Sequence, residues 1–246
     1  MVRVIGIFSG KGGVGKTTLA INISSALLKF GVESILVDAD IKMCGASLQL
    51  NMQNYPITLS EVLSKDMSIF DAIYTHISGI KVVPCSFLNE PLSLSSLQKV
   101  LSNPYLSDRI VLIDTPPGIT QEVIEIVNSC NEAILVVTPE ITSIASSLKI
   151  LKLIKEKNLK FLGVVVNRYL KNLKNQIPIS EIEKTFDSPI LGVVPEDENI
   201  RRSVNERLPS FFLNPNCESS ISFEEISSKL LGIPYQKKKS FLDKLF

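Results

Sequence analysis

An α/β fold, with a mostly parallel sheet doubly wound by helices on both faces, is predicted by three observations. Short β-rich runs recur along the chain, helical patterns separate them, and the residues with unusual chemistry fall at the carboxyl ends of the runs. The runs at 2–8, 34–38, 80–83, 110–114, 133–138, 161–167 and 189–194 are dominated by Val, Ile, Leu and Phe, as strands buried on both faces require. The segments 17–30, 120–129 and 142–157 carry apolar residues three and four apart and are long enough for crossover helices. A sheet of this kind binds ligands at the carboxyl ends of its strands.

The 246 residues, 45% of them hydrophobic, suffice for one buried domain, expected over 1–234, with a short tail at 235–246. Lys and Arg number 26 against 25 Asp and Glu, so no global field draws the protein to nucleic acid or to an acidic surface. Cys44, Cys85, Cys130 and Cys217 form no Cys-x-x-Cys pair, which predicts a reduced, cytosolic chain without a zinc or iron–sulfur site. Residues 1–8 lead directly into a glycine loop, without the pattern of a signal peptide, and are expected to be part of the fold. No stretch reaches the roughly 20 apolar residues that cross a bilayer. The segment 41–74 predicts loop and short helices, one of them started by a capping box at Thr58-x-x-Glu61. His76 is the only histidine, has no triad around it, and predicts no catalytic role.

Gly10-Lys11-Gly12-Gly13-Val14-Gly15-Lys16-Thr17 satisfies G-x-x-x-x-G-K-[ST] between an expected strand and an expected helix, the context that makes the motif specific. Glycines let successive N–H groups converge on phosphate oxygens while the following helix presents its positive end. Lys16 is then expected to bridge the β- and γ-phosphates, and Thr17 to offer a hydroxyl to Mg²⁺.

Ile35-Leu36-Val37-Asp38-Ala39-Asp40 ends a strand with two carboxylates on one side, because strand side chains alternate. Ile110-Val111-Leu112-Ile113-Asp114 reads as a Walker B strand whose Asp114 is expected to hold Mg²⁺ through water, and Thr115-Pro116-Pro117-Gly118 follows it.

Lys11, with Gly12 to Lys16, Thr17 and Thr18, resembles the deviant Walker A motif of the MinD/ParA family of P-loop ATPases, a SIMIBI-type fold. The resemblance implies that Lys11 crosses a dimer interface and acts on phosphates bound by the partner subunit, much as an arginine finger does. It implies that Asp40 positions the attacking water, that Asp38 lies near the magnesium shell, and that Gly118 senses the γ-phosphate. Asp is a weak base, so hydrolysis is expected to be slow. In the family the residue matching Asn167, in Val164-Val165-Val166-Asn167-Arg168, bonds the adenine edge, and Gly192-Val193-Val194-Pro195-Glu196-Asp197 resembles the segment closing the other side of the base. The N-K-x-D motif of GTPases is absent, which favours ATP. The likeness runs from about residue 2 to 231, and Thr138-Pro139-Glu140-Ile141-Thr142-Ser143-Ile144 favours the MinD side. Ile41-Lys42-Met43-Cys44 matches no branch, and the iron–sulfur carrier branch would need paired cysteines.

In the tail, Lys237, Lys238 and Lys239 precede Phe241, Leu242, Leu245 and Phe246, which share one face if helical. That pattern resembles the membrane-targeting tail of MinD proteins and fits an anionic lipid surface, with docking on its own domain as the alternative. The implied protein is an ATP- and Mg²⁺-dependent ATPase, dimeric with ATP, cytoplasmic and reversibly peripheral on the inner face of the cell membrane, with an unidentified protein partner. The alternatives are a ParA-like partition ATPase that binds DNA, and a nucleotide-dependent scaffold whose hydrolysis is only a timer.

Overall fold

Apolar runs rich in Val, Ile and Leu form the strands, and those at the centre of the sheet bury both faces. The computed structural model describes residues 2–86, 93–171 and 175–235. Its first half comprises β1 (Arg3–Phe8), α1 (Lys16–Lys29), β2 (Ser34–Asp38), α2 (Gly45–Gln49), α3 (Leu59–Ser64), β3 (Tyr74–Thr75), β4 (Lys81–Val83), α4 (Leu97–Leu101) and β5 (Ile110–Asp114). The second half comprises α5 (Gln121–Ser129), β6 (Glu132–Val137), α6 (Ile141–Glu156), β7 (Lys160–Tyr169), α7 (Ile179–Phe186), β8 (Ile190–Pro195), α8 (Glu198–Asn205), α9 (Ser210–Leu213) and α10 (Glu218–Leu231).

One sheet orders the strands β3-β4-β2-β5-β1-β6-β7-β8, parallel except where β3 meets β4. The predicted doubly wound architecture is the one observed. Within β1, Val4 and Phe8 enter one apolar cluster and Ile5 and Ile7 the other, because successive side chains leave a strand on opposite faces. Helices α5, α6 and α7 cover the first face with residues such as Ile126, Ile150 and Phe186, and α1 and α10 cover the second with Leu19, Ile23, Phe223 and Ile226. Each such burial contributes about 1.5–3 kcal/mol of apolar transfer energy.

The seven expected strands are present within a residue or two, apart from β7, which extends to Tyr169. The eighth, β3, is too short for a period to show. It forms because the turn after it closes through His76 N–H to the Ile80 carbonyl and Gly79 N–H to the His76 carbonyl. His76 itself is buried, with Nδ1 2.8 Å from Ser78 Oγ. In the segment read as loop and short helices, Thr58 caps α3 as its pattern predicts, and its N–H donates to Glu61 Oε2 at 2.9 Å. Helix α10 carries no clear apolar period in sequence because serines interrupt it. Ser219, Ser220, Ser227 and Ser228 are buried, and their small size lets the helix approach β8 and α1 closely. The tail residues Lys238, Phe241, Leu242, Leu245 and Phe246 lie outside the described residues, as do 87–92 and 172–174. Among the described residues no helix is long and apolar enough to cross a membrane.

Candidate active site

The phosphate loop leaves the carboxyl end of β1 and enters α1. Gly10 passes so close to α6 that a Cβ there would lie 2.2 Å from the Ser146 backbone, and its N–H donates to Ser147 Oγ at 3.1 Å. Gly15 caps α1 at φ 95°, a left-handed conformation that favours glycine, and a Cβ there would strike the Asn167 amide. No side chain caps α1, and no acid occupies its first turn. Its free N–H groups and positive end therefore face the crevice, as an anion site requires. Gly12 and Gly13 complete the turn, with Gly12 about a van der Waals contact from Pro117.

Lys16 is almost fully buried and donates to Ser9 Oγ at 3.0 Å, and Ser9 Oγ in turn donates to the Lys11 carbonyl at 2.8 Å. Burial pushes the Lys16 ammonium below its ordinary range, and the Asp114 and Asp40 charges oppose that shift. The turn after Asp114 is tied to the same loop, since Thr115 Oγ1 donates to the Ile7 carbonyl at 2.7 Å and Gly118 N–H to the Ser9 carbonyl at 2.9 Å.

Strand register brings the carboxylates together. Asp38 on β2 is the direct partner of Asp114 on β5, and Asp114 the partner of Ile7 on β1. Both acids are fully buried, and burial raises their carboxyls above the usual range. The Asp38 charge adds to the shift of Asp114, and the Asp40 charge adds to both. Ser47 at the start of α2 holds Asp38 by two bonds to Oδ2, from its N–H at 2.8 Å and its hydroxyl at 2.7 Å. Asp38 Oδ1 and both oxygens of Asp114 make no hydrogen bond of full geometry, and the Thr17 hydroxyl is close enough to Asp114 to lower its carboxyl against burial.

Such orphans are rare in folded proteins, and oxygen-only ligands beside a threonine hydroxyl suit a hard cation. The residues therefore fit Mg²⁺, with Thr17, Asp114 and Asp38 as candidate holders. Among the described residues no three His, Cys, Asp or Glu side chains form a metal cage. Mg²⁺ needs none, because it keeps waters and takes phosphate oxygens. Asp40 sits at the mouth, nearly buried, with its Oδ1 accepting from Met43 N–H at 3.3 Å; burial raises its carboxyl, against that bond and the Lys16 charge.

Lys11 turns away from this centre, its ammonium 2.9 Å from Glu140 Oε2 and 3.4 Å from Thr142 Oγ1 at the start of α6. It thus has a contact within its own subunit, where the sequence pattern shows none. A second cleft, lined by Gly15, Thr18, Asn167, Arg168, Glu196 and Asp197 among others, opens beyond the ends of β7 and β8. Asn167 is buried and its amide donates to the Val14 carbonyl at 2.7 Å, which locks the phosphate loop to β7. Arg168 lies exposed, 3.9 Å from Glu196. Pro195 is the buried register partner of Tyr169, and its neighbours Glu196 and Asp197, not Pro195, line the cleft.

Sequence reading missed Ser9, Ser47 and Ser147, which hold Lys16, Asp38 and Gly10, because a serine outside a motif carries no signal. All four cysteines are free thiols, and the sequence carries no sign that Cys44 and Cys85 lie in contact, 2.7 Å between sulfurs, because α2 folds against the end of β4.

The family model described as ParA, NUBPL iron-transfer P-loop NTPase, matches residues 1–231. An uncharacterised ATP-binding protein of Methanocaldococcus jannaschii is 35% identical over 99% of this chain and 95% of its own length. The septum site-determining protein MinD of Pyrococcus horikoshii OT3, in complex with Mg-ADP, superposes with a TM-score of 0.86 at 32% identity, covering 94% of this chain and 96% of that one. MinD from the MinC:MinD cell division complex of Aquifex aeolicus gives a TM-score of 0.86 at 26% identity, covering 96% and 98%. With a family match across nearly the whole sequence and MinD structures that share its architecture, the chain belongs to the ParA family of P-loop NTPases and is an ATPase of the MinD type.

Proposed function

We propose that the chain is a MinD-type switch that binds MgATP, dimerises around it, rests on a membrane in that state and leaves when the nucleotide is hydrolysed. The observation that carries this reading is the position of Lys11. Its ammonium is half exposed and held by a surface ion pair to Glu140. Such pairs contribute about 0.2–1 kcal/mol. The lysine can therefore exchange Glu140 for phosphate oxygens on a second molecule at small cost.

The same reading assigns the other roles. The N–H groups of Gly13, Val14, Gly15 and Lys16 cradle the phosphates, and Lys16, preorganised by Ser9, bridges the β- and γ-oxygens. Mg²⁺ draws charge from those oxygens when bound. Thr17, Asp114 and Asp38 would hold it. Asp40 orients the attacking water and, as a weak base, leaves turnover slow. Gly118, bonded to Ser9, reports the γ-phosphate to the turn after β5. Thr18, Asn167, Arg168 and the segment around Pro195 surround adenine.

Two tails on one dimer bind lipid far better than one, because the second binding event becomes intramolecular. The Aquifex relative is found with MinC, and by that likeness the ATP dimer recruits a protein partner. Sedimentation velocity and pelleting with anionic liposomes test the switch. A dimer that pellets in MgATP and a monomer that stays in solution in MgADP are expected. Equal behaviour with both nucleotides overturns the reading.

A further inference from the structure

Cys44 sits at the amino end of α2, four residues beyond Asp40, and Cys85 lies just past the end of β4. The Cys44 thiol donates toward Cys85 Sγ at 2.7 Å across 41 residues of chain, and both side chains are fully buried. The pair touches the machinery on two sides. Cys44 N–H donates to the Asp40 carbonyl at 2.7 Å, and Cys85 N–H donates to Ser47 Oγ at 2.8 Å, the hydroxyl that holds Asp38. Cys44 also takes a left-handed backbone conformation, φ 45°, that a glycine or asparagine would adopt more readily. Two thiols are thus held in contact where the loop of Asp40 meets the sheet.

We propose that Cys44 and Cys85 form a reversible disulfide that clamps the loop of Asp40 to the end of β4 and slows ATP turnover. This regulation rests on the role given above to Asp40. The oxidant is a small-molecule disulfide. One cysteine thiolate attacks it and expels one thiolate, giving a mixed disulfide. The second cysteine thiolate then attacks the protein sulfur and expels the other. Both cysteines lose their protons, one S–S bond forms as one breaks, and two small thiols are released. A dithiol reverses every step. The Cys44 hydrogen bond, burial and the nearby Asp38 and Asp40 charges hold the Cys85 thiol far above its ordinary range. The thiolate therefore arises when the turn at 41–44 opens, beside Met43, which is largely exposed. In cytosolic proteins disulfides that do form are mostly transient and redox-sensing, which fits a pair of this kind.

The test uses the full chain, reduced and then treated with oxidised glutathione. Remaining thiols are alkylated and the protein digested with trypsin, while ATP turnover is followed before oxidation, after it, and after dithiothreitol. The expected result is a disulfide-linked pair of peptides, 43–65 with 82–99, and alkylated Cys130 and Cys217. Turnover falls tenfold or more, since about an ångström of misplacement costs as much, and recovers fully with dithiothreitol. Cys85→Ala, or Cys85→Ser if that variant does not fold, keeps the reduced rate and ignores the oxidant. Absence of the linked peptides overturns the pairing. Linked peptides with unchanged turnover overturn the regulation. A reduced protein without turnover counts against the reading of the site, whereas the linked peptides still decide the pair.

Discussion

The carboxyl ends of β1, β2 and β5 and those of β7 and β8 lie along the same edge of one parallel sheet, yet they hold charge by different means. At the first, Lys16, Asp38 and Asp114 are buried, and hydrogen bonds from or to Ser9 and Ser47 hold the lysine and Asp38. At the second, Arg168 and Arg201 stand in water beside Glu196 at 3.9 and 3.3 Å. An unsatisfied buried polar group costs about 1–3 kcal/mol, whereas an exposed ion pair contributes about 0–1 kcal/mol. The inner group is therefore held in one geometry, and the outer group is free to rearrange around a base. Lys11 crosses that division. It starts inside the phosphate loop but ends in a surface pair, which is the property a residue needs if it is to leave its own subunit.

The sharpest test of this contrast is Lys11→Ala. Turnover is expected to fall about 10³-fold or more, the scale of a charge supplied in trans, while the thermal midpoint stays put because only a surface pair is lost. Steady-state phosphate release and thermal melting read the two, and a loss of turnover matched by a loss of stability would break the comparison. Asp40→Asn comes next, with turnover down about a hundredfold and nucleotide affinity retained in equilibrium titration. A parallel loss of affinity would make Asp40 a binding residue instead.

Ser47→Ala probes the inner group without touching nucleotide. Removing the hydroxyl leaves Asp38 Oδ2 one donor short and Cys85 N–H without its acceptor. The expected cost is about 1–3 kcal/mol in denaturant unfolding. The smallest effect belongs to the outer group. Asp197 caps α8 and accepts from Asn199 and Ser219, and against the effect of burial these bonds hold its carboxyl at about 2, below its ordinary 3.8. Asp197→Ala should cost about 1 kcal/mol. Because the folded value lies below the unfolded one, this contribution is complete above pH 3.8 and fades as pH falls through 2. Unfolding of both proteins across that window should show the difference shrink with acid.

The phosphate loop, the Walker B strand and the central strands were legible because their signals are local: glycine spacing, apolar runs and a carboxylate at a strand end. What joins them was not legible. Lys11 meets Glu140 across 129 residues and Asn167 meets the Val14 carbonyl across 153. Ser47 and Cys85 are 38 apart, and no motif signals any of these three contacts. Helix α10 escaped for a related reason, since buried serines look polar in sequence and act as small residues only when packed.

By itself the amino-acid sequence determined the order of the seven longer strands and of α1, α5 and α6, the loop that receives phosphate and the identity of the acids around it, because backbone conformation and apolar period act over a few residues. Only the tertiary structure decided that Lys11 rests on Glu140, that Ser47 aims Asp38, and that two distant thiols meet beside Asp40. Those contacts depend on strand register and helix packing, which bring together side chains whose separation along the chain carries no local energy.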